Sequence, residues 1–343
     1  MRPIPRRLLK GCFLIFLIVA TAIILRRHAQ PLPYQSISGN VFHTQYHITY
    51  QHHDTLQQVI EQELQKLDQS LSAFNPQSTL SRINRNETTE TDALVEHVFA
   101  LAQKVSEHTD GAFDITVAPL VNAWGFGFGK SETIPSERID SILPAVGYRK
   151  VKLENHRIIK QHPATLLDCS GIAKGLACDM VALLLEKHSI HNYMIEIGGE
   201  IRAHGQSPSH RAWSIGISTP KEDSVNTDFN DISSILQLTD GGLATSGNYR
   251  NFHISNGHKV AHTIDPRTGY PAWQSILSSS VIAPTCAEAD AYATAFMVTG
   301  LDSARKILQK QPQLQAFFIY SDRDGILKIW HTAKWPIQRQ NRT

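Results

Sequence analysis

Cysteine is scarce in this chain: four residues in 343, at Cys12, Cys169, Cys178 and Cys286, with no C-x-x-C spacing. Cys12 falls in an N-terminal apolar stretch, so three remain for the folded part, an odd number that argues against a disulfide framework. Charge of one sign is lacking too. The 33 Lys and Arg nearly balance 31 Asp and Glu, for a formal net charge of +2, and no basic stripe stands out. That sets nucleic acid aside as a partner. The 17 histidines are plentiful but scattered, and neither H-E-x-x-H nor Cys/His zinc spacing occurs. No short-period repeat and no low-complexity tract is present. What the chain does have is bulk: 41% hydrophobic residues, enough for a well-buried core in one large domain or two lobes.

The N-terminus carries the clearest topological signal. Arg2, Arg6, Arg7 and Lys10 precede an apolar run from Gly11 to Leu25, closed by Arg26 and Arg27. This is the layout of a secretory signal or a short signal anchor. The run is shorter than the roughly 20 residues of an ordinary spanning helix, so both readings stand. No A-x-A cleavage site follows, and Cys12 precedes the apolar run instead of ending it, which argues against lipidation. The early positive charge keeps residues 1–10 cytoplasmic and exports the rest. The expectation is therefore an inner-membrane protein with a basic N-terminus (1–10), a signal anchor or signal peptide (11–25), a linker (26–39) and an exported, periplasm-facing domain (40–335).

Within that domain, alternation over Val41 to Tyr50 predicts a strand. Val59, Ile60, Leu64, Leu67 and Leu71 recur at helical spacing over Leu56 to Leu71. Thr91 and Asp92 are placed to cap a second helix through Val105, ended by Asp110-Gly111. A helix near Lys174 to His188 follows. Strands are expected around Tyr193 to Ile197, Trp213 to Ile217 and Ile235 to Leu238. Helices are expected over Ala287 to Val298 and Asp302 to Gln309. A hairpin of Ala316 to Tyr320 and Ile326 to Trp330 closes the chain. Without a regular βαβ rhythm, the fold class predicted is α+β.

Several segments bear chemistry. In His262-Thr263-Ile264-Asp265-Pro266-Arg267-Thr268-Gly269-Tyr270-Pro271, an imidazole precedes a turn set by Asp-Pro and Gly. Thr245 to Arg250, about fifteen residues upstream, reads as a second polar turn. The two are either walls of a site or ordinary hairpin loops. Asp290 and Thr294 stand at i, i+4, so on a helix they share a face and offer hard oxygens of the kind Mg²⁺ takes. The alternative is an exposed acid near a helix N-terminus with Thr294 packed inside. Leu167 to Gly175 reads as a strand, a small-residue turn and a helix start, where amides and Lys174 can meet an anion, or else as a plain connection with Lys174 solvated. Phe113, Trp124 and Phe126, beside glycines, suit either a flat ring or the core.

Two motif matches fail. Gly129-Lys130-Ser131 resembles the end of a P-loop, but Trp124 stands where its first glycine is required. Ser218-Thr219-Pro220-Lys221 matches S-x-x-K, yet Pro220 after a strand is incompatible with the helix start that motif needs.

Taken in order, these segments resemble the FAD:protein FMN transferase family, the ApbE-type flavin transferases. The matching pieces are Leu71 to Ser78, Gly111 to Gly127, Asp168 to Gly175, Ile197-Gly198-Gly199-Glu200, Thr245 to Arg250, His262 to Pro271 and Ala289 to Thr294. They span about residues 40 to 330. The resemblance implies a T-fold-like α+β domain that binds FAD with Mg²⁺, cleaves its pyrophosphate and moves FMN onto a Thr or Ser hydroxyl of a client protein, releasing AMP. By position, it implies Gly171 (through its carbonyl), Asp290 and Thr294 around the metal. Phe74, Ala112, Phe113, Asp114, Asp168, Lys174 and Ile264 would line the FAD, with His262 near the reacting phosphate. His titrates in the range a general base needs, and His262 is the candidate base for the client hydroxyl. The family suggests exported subunits of membrane electron-transfer complexes as clients.

One departure is visible. The family opens with Met-Gly-Thr on its first strand, where this chain has Phe42-His43-Thr44. Phe42 remains a candidate to stack on the flavin, while His43 is far larger than Gly. Two other functions stay open on sequence grounds: an exported FAD-binding protein without catalysis, and a pyrophosphatase giving FMN and AMP.

Overall fold

The computed structural model describes residues 15–17, 19, 21, 32–126, 134–218, 232–247, 252–255, 258–261, 263–272, 274–322 and 324–336. Its frame is an eight-stranded antiparallel sheet whose strands lie side by side in sequence order. These are β1 (Tyr34–Val41), β2 (Thr44–Gln51), β3 (Tyr193–Ile197), β4 (Glu200–His204), β5 (Asp240–Gly247), β6 (Ile276–Ala283), β7 (Gln315–Ser321) and β8 (Leu327–His331). Three long helices come between β2 and β3: α1 (Gln57–Leu71), α2 (Ala93–His108) and α3 (Ser170–Lys187). A fourth, α4 (Cys286–Lys310), joins β6 to β7.

Periodicity decides what each element buries. On α1, Ile60, Leu64, Leu67 and Leu71 form the inward stripe. On α2, Asp92 Oδ1 accepts from the amides of Leu94 (3.0 Å) and Val95 (2.9 Å), the N-cap the sequence predicts. The same oxygen accepts from Ser70 Oγ at 2.7 Å, which ties α1 to α2. Successive strand residues point to opposite faces, so β7 divides its apolar residues. Ala316 and Phe318 join the helical core, while Phe317 and Ile319 join a second core with Trp213, Ile215 and Leu236. That second core is covered by the hairpin Trp213–Ser218 and Ile232–Leu238.

The first half of α4 is buried almost without interruption from Cys286 to Val298, with the polar Glu288 and Asp290 buried among its apolar residues. Such a helix belongs inside a core. It packs on α3, β5 and β6, and glycines permit the approach: a Cβ on Gly175 or on Gly242 would overlap the Cys286 backbone. The two helices expected over 287–298 and 302–309 are both present within α4, on either side of non-helical backbone at Gly300. Gly300 adopts φ 72 and absorbs the change of direction.

Three expectations change. The linker expected over 26–39 gives up its last residues to β1, and the strand expected from Val41 is split. Val41 pairs with Thr44 across a two-residue turn made by Phe42 (φ 50) and His43 (φ 59), the positive φ pair that tight hairpins use. Of the turn expected over Thr245 to Arg250, Thr245 to Gly247 are instead the end of β5, in register with Ser280 to Ser278 of β6, and residues 248–250 lie outside the described residues.

Most of the stretch 11–25 lies outside the described residues. Among the described residues, no helix is long and apolar enough to cross a membrane. Cys169, Cys178 and Cys286 are buried and unpaired, in keeping with the absence of a disulfide framework.

Candidate functional site

A cleft of about 1180 Å³ opens where the N-terminus of α3, the first half of α4, the end of β5 and the turn after β2–α1 converge. Phe74, Ala112, Phe113, Asp114, Asp168, Gly171, Lys174, Ile264, Asp290 and Thr294, all expected at the site from the sequence, line it. Phe42 lies apart, at the tip of the β1–β2 hairpin. It lines an adjoining cavity of about 450 Å³ that shares Phe74, Asp168 and Lys174 with the cleft. His262 lies outside the described residues.

The two long helices set the floor. Asp290, 2% exposed, accepts the Gly175 amide on Oδ2 at 3.1 Å. One turn along α4, Thr294 Oγ1 lies 3.3 Å from Ser246 Oγ of β5 and the same distance from where a Gly171 Cβ would sit. A side chain at position 171 would therefore crowd the hydroxyl. This selects against the solvated-acid reading of Asp290: the carboxylate is inside, and burial raises its pKa despite Lys174 and the Gly175 amide.

Lys174 stands between two acids. Its Nζ lies 3.3 Å from Glu200 Oε1. Burial works against its charge, but Asp290 and Glu200 outweigh burial and hold its pKa above the ordinary lysine value. Glu200, 4% exposed, is pushed up to about 8, by burial first and by Asp290, against the pull of Lys174. Glu200 Oε2 has no hydrogen-bond partner among the described residues. From the sequence, Glu200 stands out only as part of a Gly-Gly-Glu match. Its role as the partner of Lys174, 26 positions upstream on a different element, depends on the tertiary fold.

Asp114 is placed in the cleft wall, but its carboxylate is already engaged. It accepts from the Thr116 amide (2.8 Å), Thr116 Oγ1 (2.7 Å) and the Tyr148 amide (2.6 Å). Burial raises its pKa against those bonds. It acts by shaping the loop that presents Ala112 and Phe113, both buried. Asp168 is oriented likewise: its amide donates to Ile115 O at 2.7 Å and its Oδ1 accepts the Ser170 amide at 2.8 Å. Asn84 fixes the preceding residue by exchanging two hydrogen bonds with the Leu167 backbone.

The aromatic candidates divide. Phe113 is buried in the helical core, and Trp124 packs on Tyr270 while its Nε1 donates to Gly269 O at 2.8 Å. Trp124 therefore braces the turn after Ile264 and does not line the cleft. Asp265 closes the same turn with a bidentate pair to Arg267 (2.8 Å for each bond). Phe74 is the exposed ring, at 62%, and it meets His43 edge to face at 5.8 Å. An aromatic at a cavity mouth can border a planar ligand.

The oxygen donors suit a hard divalent cation. One buried carboxylate, one hydroxyl and a helix-terminal carbonyl make a partial set of the kind Mg²⁺ completes with waters and substrate phosphates. Among the described residues no group of three or more His, Cys, Asp or Glu could hold a metal alone, so the donor set does not suit a metal held wholly by side chains.

Comparison with known proteins identifies the family. The ApbE family model matches residues 42–318. The FAD:protein FMN transferase of Haemophilus influenzae is 34% identical over 327 residues, covering 90% of this chain and 93% of that protein. The Escherichia coli K12 protein of the same name is 32% identical over 82% of this chain and 80% of its own length. Among solved structures, the flavin transferase ApbE from Vibrio cholerae superposes with a TM-score of 0.78 at 30% identity, covering 88% of this chain and 98% of that one. The apo flavinyl transferase ApbE of Pseudomonas stutzeri gives 0.78 at 28% identity, over 89% and 96%. The chain belongs to the ApbE family of flavin transferases.

Proposed function

We propose that this chain cleaves FAD and transfers FMN to a Thr or Ser hydroxyl of a client protein, with Mg²⁺. The observation that carries the proposal is the buried Asp290, with the half-buried Thr294 one turn along, facing Gly171 and Lys174 on the floor of the cleft. A binder of neutral ligands would have no use for an acid desolvated beside a lysine.

The client oxygen attacks the phosphorus of the FMN half, the P–O–P bridge breaks, and AMP leaves with the bridging oxygen. Mg²⁺, held by Asp290, Thr294 and the Gly171 carbonyl, would neutralise negative charge on the pyrophosphate. Lys174 supplies a fixed positive charge to the same anion at the start of α3, where helix amides also favour phosphate. Phe74 and Phe42 border the neighbouring cavity and supply ring surfaces for the flavin. His262 is proposed as the base that takes the hydroxyl proton. The basic residues 2–10 and the apolar run 11–25 support an inner-membrane anchor with the domain on the periplasmic side, where exported redox subunits would be the clients.

The test is AMP release from FAD in the presence of client, with and without a chelator, for wild type and His262→Ala. The proposal requires chelator-sensitive AMP release and a His262→Ala protein that still binds FAD but is inactive. AMP release indifferent to chelator would overturn the metal role, and normal turnover in the mutant would overturn the base.

A further inference from the structure

α3 and α4 meet along a ladder with one rung per turn. Gly171 lies against Thr294, the Gly175 amide donates to Asp290, and Asp179 accepts the amides of Cys286 (2.9 Å) and Ala287 (2.8 Å). On α3 the positions climb by four; on α4 they descend by four, as neighbouring ridges of packed helices do. The upper two rungs bring together the residues read above as the metal-holding set, and they rest on glycine. Glycine permits close approach, and across these two rungs only the single Gly175–Asp290 hydrogen bond resists one helix sliding or rotating on the other. The third rung adds two more bonds in the opposite direction, from α4 amides to an α3 carboxylate. A carboxylate that takes two consecutive amides is directional, and it also meets the positive end of the helix it grips.

Thr285 caps α4 from within, accepting the Glu288 amide at 3.2 Å, and so fixes nothing outside that helix. Asp179 reaches across from α3. It is braced in turn by Arg202 of β4, whose Nε lies 3.9 Å from Asp179 Oδ1. The guanidinium also donates to the Pro284 carbonyl at 3.1 Å and pairs with Asp240 at 3.1 Å. The two residues that open α4 are thus held from α3, while the chain just before them is held from the sheet.

We propose that Asp179 is a positioning residue for the reaction: it pins the register of α4 on α3 and thereby sets Asp290 and Thr294 against Gly171 and Lys174. This rests on the reading of Asp290 and Thr294 as metal ligands, and Asp179 touches neither. Burial in this junction pushes its carboxyl up to about 6, so the contact is retained at the cost of desolvating an acid. The two amides and Arg202 offset part of that cost.

The test uses the whole protein as Asp179→Ala and Asp179→Asn, with Mn²⁺ as the probe, titrated in the presence of FAD and followed by electron paramagnetic resonance. Asp179→Ala is expected to weaken Mn²⁺ binding by about tenfold or more, the range for residues that orient metal ligands. FAD affinity, read by flavin fluorescence, should stay within about twofold, since Asp179 is outside the cleft wall. Asp179→Asn keeps one acceptor oxygen and should fall between the two; it decides the matter if the alanine variant does not fold. Unchanged Mn²⁺ affinity in either folded variant overturns the proposal. If the wild-type protein takes up no Mn²⁺, the metal reading of Asp290 is what fails. The register claim is then settled by a crystal structure of Asp179→Asn: a retained Gly175–Asp290 hydrogen bond refutes it, and a broken one supports it.

Discussion

Lys174 Nζ sits 3.3 Å from Glu200 Oε1 while the other oxygen of that carboxylate, buried in the cleft, has no partner among the described residues. A half-satisfied acid in that setting has a stability signature. The folded-state pKa of Glu200, about 8, lies above its ordinary value of 4.5. Between those values the native state holds more protons than the unfolded chain, so this group's contribution to stability declines as pH rises from 4.5 to 8. Glu200→Gln cannot titrate. The melting temperature of Glu200→Gln relative to wild type should therefore climb steadily from pH 5 to pH 8 in the absence of ligand. A difference that is flat, or that falls, would refute the assignment.

Asp290→Asn should move stability and activity in opposite directions. Removing a charge that burial disfavours should raise the melting temperature of the ligand-free protein. Removing an anionic metal ligand should lower kcat/KM by about a hundredfold or more. Parallel losses in both would mean that Asp290 serves the fold and not the reaction.

Gly175→Ala tests the helix contact from the other side. The new methyl would overlap the Cys286 carbonyl, which is backbone and has no rotamer to change. Overpacking of this kind costs about 1–3 kcal/mol, measurable by urea unfolding, and it should also shift the Asp290 bond. A neutral substitution would show that α3 and α4 can part without consequence.

The β1–β2 turn makes a prediction of the opposite sign. His43 holds φ 59, a conformation that costs a non-glycine residue roughly 1–2 kcal/mol. His43→Gly should stabilise the protein by about 1 kcal/mol, the backbone relief being partly offset by loss of the contact with Phe74. Phe74→Ala, at an exposed position, should leave stability within about 0.5 kcal/mol of wild type and raise the KM for FAD. An unchanged KM would remove Phe74 from the flavin site.

Much of this architecture is written locally. Asp92 followed by a 3.6-residue apolar rhythm, and the five-residue strand Tyr193–Ile197, need nothing beyond their own sequence to be recognised. The misreadings share a cause. Phe-His carries none of the Asn-Gly chemistry that marks a two-residue hairpin, so the turn at 42–43 is invisible until Val41 is seen to pair with Thr44. Thr-Ser-Gly is turn chemistry, yet pairing with Ser278 to Ser280 draws Thr245 to Gly247 into a strand. At the site, the i, i+4 spacing of Asp290 and Thr294 already placed them on one face. What local spacing could not show is that Gly171, Gly175 and Asp179 repeat the same step on another helix, because that match exists only across the interface.

The most direct test of the central claim is the intact mass of a Thr-containing client after incubation with the enzyme, FAD and Mg²⁺, measured alongside AMP in the same tube. Transfer predicts that each client molecule gains the mass of one FMN less one water for each AMP released, and that Thr→Ala at the acceptor abolishes the gain. AMP accumulating while the client mass stays unchanged would contradict transfer and make the enzyme a pyrophosphatase.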